Sequence, residues 1–270
     1  GGTNGTMGFE NYLKHTDFDK YFGRKEYNNE AHYDGQWGIW DEEFLYFCAE
    51  TITQESTAPF LSIIFTLSSH HPYKIPEKYK DKFPKGEHQI LETIAYADFA
   101  LEKFFQEISK KDWFNNTLFV ITGDHSSQSE SKFYNNNYGV YKIPFIFYDP
   151  KLNLSEYSNK NIFQQIDLMP SLLAYLGFEE KIIAFGRNAF DTTEKNFAVQ
   201  YLQPDFQFIF DDTLYIWNQN KITSAHSLKE DKMLINNIID EIYYPKEKEI
   251  LIKSYIQQYN NRLLLNQLMP

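Results

Sequence analysis

Two apolar runs that break off abruptly into polar residues limit what this chain can fold into. They are PFLSIIFTLSSHHPY at 59–73 and NTLFVITGDH at 116–125. Each is short, continuous and rich in β-branched and aromatic residues, the pattern of a strand buried on both faces of a parallel sheet. Neither approaches the roughly 20 apolar residues needed to span a bilayer. The first ends in Ser68, Ser69, His70 and His71, the second in Asp124 and His125. Ligands of open α/β sheets gather at the carboxyl ends of the strands, so both groups are expected on one rim.

The intervening segments supply the rest of such a sheet. ILETIAYADFALEKFFQEISKK (90–111) places Ile94, Leu101, Phe104 and Ile108 at helical spacing, with Lys110 and Lys111 near its C-terminal end. In QWGIWDEEFLYFCAETI (36–52), Asp41 is placed to N-cap a helix. KIPFIFYDP (142–150) predicts a third strand, with Pro144 at its start or on a sheet edge. NIFQQIDLMPSLLAYLGF (161–178) predicts a helix ending at Gly177, and Pro170 moves its start to near Leu168. The first 35 residues read as loop with a short helix around 9–15.

Strand, helix, strand, strand, helix in this order predicts an α/β domain over residues 1–195, built on a doubly wound, mostly parallel sheet. Past residue 195 the texture changes. NFAVQYLQ, FQFIFDD and TLYIWNQNKITSA predict short antiparallel strands, with a turn at 218–220. A final helix carries Ile252, Ile256, Tyr259 and Leu263 at helical spacing. Residues 196–270 are therefore expected to form a small α+β part.

Charge and cysteine content narrow the partners. A formal net charge of −11 argues against binding to nucleic acid or to an anionic membrane surface, while leaving room for a local basic pocket. With one cysteine, Cys48, no internal disulfide can form. No signal peptide is visible.

An aspartate oxygen and a histidine nitrogen are suitable ligands for a divalent cation such as Mn²⁺ or Zn²⁺, but two ligands do not close a site. Structural readings stand beside this one. Asp124 can form the turn after Gly123 with His125 a loop residue, and His70 can hydrogen-bond within the loop before Pro72, which biases His71 toward extended backbone. Trp37 can line a pocket or pack in the core.

Seven pieces in sequence order then carry a resemblance: GTNGTMGFENYLKHTDFDKYFGRKEY, WGIWDEEF, FTLSSHHPY, AYADFALEKFF, TLFVITGDHSSQS, VYKIPFIFYDP and QQIDLMPSLLAYLGF. Over about residues 1–186 the chain resembles the catalytic domain of the lipoteichoic acid synthase/phosphoglycerol transferase family, in the sulfatase-like branch of the alkaline phosphatase superfamily. The resemblance implies a divalent metal, commonly manganese with magnesium or zinc as alternatives, held in part by Asp124 and His125. It implies a phosphate-binding role for His70, which fits the family pattern better than His71, and places Trp37 and His71 beside the substrate.

The family's Glu ligand and Thr nucleophile are expected upstream of residue 1. Thr3 and Thr6 sit in a Gly-rich stretch that uses Thr freely, and do not replace that nucleophile. No catalytic residue is therefore assigned, and the fragment is expected to be inactive alone. The resemblance further implies an N-terminal membrane anchor outside this sequence and a catalytic domain on the outer side of a bacterial cell membrane. The implied substrate is a phosphorylated glycerolipid or an envelope glycan.

Two other readings stay open. A sulfatase would use a modified Cys or Ser in a C/S-x-P-x-R context, which Cys48, followed by Ala49, Glu50 and Thr51, does not provide. A non-catalytic binding domain on the same fold is the other.

Overall fold

Two helices organise the N-terminal part. In the computed structural model, helix α3 (Asp41–Glu55) packs on helix α4 (Ile90–Ile108). Leu45 and Ala49 of α3 meet Ala100, Phe104 and Ile108 of α4, with Phe114 closing the cluster. Ala49 and Ala100 are wholly buried, and their small side chains let the helices approach closely. The inward face of α4 runs through Ile90, Thr93, Tyr96, Ala100, Phe104 and Ile108. Ile94, expected on that face, is 48% exposed. Thr93 takes the inward place because its hydroxyl donates to Ile90 O at 2.8 Å, which satisfies it without water. Two short helices, α1 (Phe9–Leu13) and α2 (Arg24–Tyr27), precede this pair.

The structure describes residues 1–155, 162–191, 193, 197–218, 220–242 and 246–267. It divides into two compact units, Gly1–Asn135 with Val140–Asn153, and Asn136–Gly139 with Leu154–Pro270. Residue 195, the expected domain boundary, falls outside the described residues. Asn161 and Asn196, the first residues of two predicted elements, and Gln219, inside the predicted turn, fall outside the described residues.

In the first unit, strands β1 (Phe119–Thr122) and β2 (Phe145–Tyr148) pair antiparallel, with Phe119 opposite Tyr148 and Thr122 opposite Phe145. Pro144 falls just before β2, where its missing N–H costs no ladder bond. Phe119 joins a ring cluster with Phe105 at 5.2 Å and Phe114 at 5.4 Å, which fastens the strand to α4.

The first apolar run departs from expectation. Residues 60–67 have no strand assignment and no sheet partner among the described residues, and Leu61, Ile63 and Phe65 are 70%, 57% and 50% exposed. Only Ile64 reaches the α3–α4 cluster, while Phe65 stacks on Phe9 at 5.1 Å. The composition specifies extended backbone, but burial on two faces needs neighbouring strands, and the described residues provide none. The α/β class is as expected. The pairings among the described strands are all antiparallel, and the parallel pairing expected of 59–73 is not among them.

In the second unit, α5 (Leu168–Tyr175) begins where Pro170 predicts. It ends at Gly177, whose φ of +73° only glycine adopts without strain. There Gly177 N donates to Ala174 O and Phe178 N to Leu173 O, the paired bonds of a Schellman motif.

Strands β3 (Phe197–Tyr201), β4 (Phe206–Phe210), β5 (Thr213–Asn218) and β6 (Lys221–Ser227) then form an antiparallel meander in the order β3-β4-β5-β6. Period-2 alternation puts Phe208, Phe210, Tyr215 and Trp217 on one face, where they pack with Ile222 and Ala225 of β6 and with Ile252 of helix α6 (Lys246–Leu264). On α6, Ile256 packs beside this core, whereas Tyr259 and Leu263 are exposed.

Phe208 is almost fully buried at the centre of this core. Phe208→Ala is expected to lower the stability of the second unit by about 3–5 kcal/mol, read as a shift in its denaturant midpoint.

Candidate functional site

His70, His71 and Trp37 meet across two loops of the first unit. The Trp37 loop, 34–40, is built on Asp34, whose Oδ1 accepts from the backbone N–H groups of Gln36 at 2.7 Å, Trp37 at 2.8 Å and Gly38 at 3.1 Å. Trp37 O accepts from Thr3 N at 2.9 Å and from Thr3 Oγ1 at 3.1 Å. The Trp37 main chain is thus fixed on both sides before its side chain makes any contact.

Its indole then crosses to the second loop. Trp37 Nε1 donates to His71 O at 2.6 Å, and the indole lies 4.1 Å from the His70 ring, tilted by 55°. In that loop Leu67 O accepts from His70 N at 3.0 Å and His70 O from Tyr73 N at 2.9 Å, making consecutive turns around a cis His71–Pro72 peptide. His70 Nδ1 faces His71 O at 3.2 Å. A carbonyl only accepts, so Nδ1 carries the proton and Nε2 is left as the chemically open edge. The hollow between the loops is lined by Asp34, Gln36, Trp37, Leu67, His70 and Lys74, among others. Trp37 lines this hollow and is in neither hydrophobic cluster of the described residues. His71 contributes its carbonyl, and its ring turns to Tyr73 at 5.7 Å.

Asp41 holds the two loops together. It is the first residue of α3 and not its cap, since Trp40 takes that place. Its carboxylate accepts from Leu67 N at 2.7 Å and from Ser68 N at 3.2 Å, and Asp41 N donates to Ser68 Oγ at 3.1 Å. Burial raises its pKa, while the bonds from Leu67 and Ser68 oppose the rise.

The sequence signalled neither the Asp41–Ser68 contact nor Lys74. The first spans 27 residues and leaves no periodic trace. Lys74, a cation four residues past His70, was visible as spacing but not as orientation.

Asp124 and His125 follow β1 in the same unit. The turn is tied back by Gly123 N to Pro144 O at 3.4 Å and by Ser126 Oγ to Val140 O. His125 N donates to Asp124 Oδ1 at 2.9 Å, and His125 Nδ1 bonds Ser126 O at 2.7 Å. That bond puts the proton on Nδ1 and presents Nε2 as a ligand, the orientation metal-bound histidines adopt. His125 Nε2 lies 3.5 Å from Asp124 Oδ2, and the two side chains are 73% and 79% exposed. Two donors about 2.1 Å from a tetrahedral cation stand about 3.4 Å apart, so the pair fits the span of one ion. Among the described residues no group of three His, Cys, Asp or Glu forms a metal cluster.

Burial pushes the Cys48 thiol up to about 12, which favours its protonated form at neutral pH.

Comparison with known proteins places this arrangement. Over its whole length the chain superposes on a protein of the alkaline phosphatase superfamily from Vibrio parahaemolyticus with a TM-score of 0.83, at 20% identity and covering 65% of that chain. The lipoteichoic acid synthase LtaP of Listeria monocytogenes matches 86% of this chain and 64% of its own with a TM-score of 0.68, at 19% identity. The fold is that of the alkaline phosphatase superfamily.

Residues 3–178 match the Sulfatase family model, and the chain belongs to that family, on its lipoteichoic acid synthase-like side. The lipoteichoic acid synthase-like YvgJ of Bacillus subtilis is 27% identical over 234 residues, covering 79% of this chain and 37% of YvgJ. A lipoteichoic acid synthase of Staphylococcus aureus is 27% identical over 215 residues, covering 72% and 32%. The chain spans about a third of the length of these curated relatives.

Asp34→Ala removes the acceptor for three backbone N–H groups. Loosening of the turn by about 1–3 kcal/mol is expected, seen as faster amide exchange at Gln36, Trp37 and Gly38 with the amides of α4 unchanged.

Proposed function

We propose that the chain is part of a metal-assisted transferase or hydrolase of phosphoryl esters, of the phosphoglycerol transferase type, acting on a phosphorylated glycerolipid or envelope glycan. The observation that carries this reading is the fixed pairing of Trp37 with His70, which puts both beside a small hollow that Lys74 also lines, with the Nδ1 proton of His70 held by His71 O. In its protonated form His70 donates from Nε2 to a nonbridging phosphoryl oxygen, and the Lys74 ammonium adds positive charge. The indole of Trp37 walls one side and keeps water off that oxygen, which strengthens both contacts as negative charge develops in the transition state.

Asp124 Oδ2 and His125 Nε2 would hold a divalent cation, manganese foremost, with magnesium or zinc as alternatives. Such a cation lowers the pKa of a bound hydroxyl and polarises a phosphoryl oxygen.

In this reading the attacking hydroxyl belongs to a Thr outside these 270 residues, and the chain alone does not turn over. Thr3 gives its hydroxyl proton to Trp37 O, a structural use. No helix among the described residues is long and apolar enough to cross a membrane. A membrane anchor, with the catalytic domain on the outer face of a bacterial cell membrane, is the proposed setting of the parent protein. The similarity to lipoteichoic acid synthases supports phosphate over sulfate esters.

Manganese titration of the chain, followed by electron paramagnetic resonance, tests the metal assignment. Weak binding is expected, and it should vanish in Asp124→Ala/His125→Ala; unchanged binding in that variant sinks the assignment. For the parent, turnover of a bis-aryl phosphodiester is expected. Turnover of an aryl sulfate in its place would move the reading to a sulfatase.

A further inference from the structure

One buried carboxylate stands at the joint between the two loops that frame the hollow. Asp41 and Ser68 are both buried, and their contact is reciprocal: the carboxylate takes the N–H groups of Leu67 and Ser68, and Ser68 Oγ takes the N–H of Asp41. Leu67 O in turn accepts from His70 N, so the turn that carries His70 starts on the clamped residues. On the other side Asp41 follows Trp37 closely in sequence, at the start of α3.

No side-chain cation binds this carboxylate among the described residues. Its hydrogen-bond partners are the backbone N–H groups of Leu67 and Ser68 and the Ser68 side chain, and it sits in the first turn of a 15-residue helix, where the helix dipole favours negative charge. A carboxylate held by main-chain donors and a short buried hydroxyl has little freedom, because these cannot swing as a lysine can. The polar contacts therefore fix the His70 turn relative to the end of α3, and with it the spacing between Trp37 and His70.

We propose that Asp41, with Ser68, is a positioning residue of this site: it sets His70 against Trp37 and so pre-organises the hollow for a phosphoryl anion. The anion-binding half rests on the function proposed above, whereas the positioning half does not.

The experiment separates the two. In the ligand-free chain, the His70 ring protons should carry an upfield ring-current shift from Trp37, measurable by NMR. Ser68→Ala removes one bond of the clamp. Asp41→Asn keeps one acceptor oxygen but sets an amide N–H₂ against a backbone donor. Both variants are expected to lose most of the His70 shift while resonances of the β3–β6 sheet and thermal melting show them folded. Affinity for glycerol phosphate, titrated through Trp37 fluorescence and the His70 signals, should weaken about tenfold in both, the loss of roughly one hydrogen bond of organisation.

A His70 shift unchanged in folded Ser68→Ala overturns the positioning role, whatever happens with ligand. If Asp41→Asn fails to fold, Ser68→Ala alone decides. A shift lost as expected, with glycerol phosphate leaving His70 of the unsubstituted chain untouched, upholds the positioning and overturns the anion-binding reading.

Discussion

The close packing of α3 on α4 is the constraint on which the first unit depends. Two alanines at the contact, Ala49 and Ala100, bring the helices together, and Leu45, Phe104 and Ile108 fill the space around them. That contact fixes the direction of α3, and the direction of α3 fixes Asp41 at its beginning. From Asp41 the constraint passes through backbone hydrogen bonds to Leu67 and Ser68, and so to His70. A hydrophobic contact thereby sets the position of a polar side chain on the far side of a helix. The stiffness of close-packed interiors makes this kind of transmission dependable.

The candidate site has two parts of different character. The hollow at Trp37 and His70 is fixed by many short hydrogen bonds, nearly all of them to main-chain atoms. The Asp124–His125 pair is highly exposed, and its order comes from its own turn and from the bonds of Gly123 and Ser126 to the 140–144 segment. Both nevertheless use one device. In each, a backbone carbonyl takes the proton of Nδ1 and leaves Nε2 unprotonated, through His71 O for His70 and Ser126 O for His125. Choosing the tautomer with a main-chain acceptor costs no additional side chain and suits residues at the ends of strands and turns.

Much of this was legible in the sequence, and the failures are instructive. The meander β3–β6 was readable because alternation and short connections are local signals, as were the start of α5 at Leu168 and its stop at Gly177. Helix α4 was found, but its inward face was misphased at Ile94, since hydropathy does not anticipate a threonine that satisfies its hydroxyl on its own helix. The composition of the run 60–67 says how the backbone lies, not whether a neighbour exists to bury it. Trp37 and His70 could be nominated singly, by type and place. Their contact could not, because it joins positions more than thirty residues apart and is arranged by Asp41, whose capping pattern suggested a purely local role.

The connectivity of the four-stranded sheet carries a kinetic consequence. Each strand pairs with its immediate sequence neighbour, through connections of a few residues, so every ladder closes a small loop and little chain entropy is lost before contacts form. Low contact order of this kind goes with rapid assembly. By contrast, β1 and β2 are separated by more than twenty residues, and the Asp41–Ser68 clamp bridges 27. The slower contacts to form therefore belong to the unit that holds Trp37 and His70, and the meander of hairpins closes first.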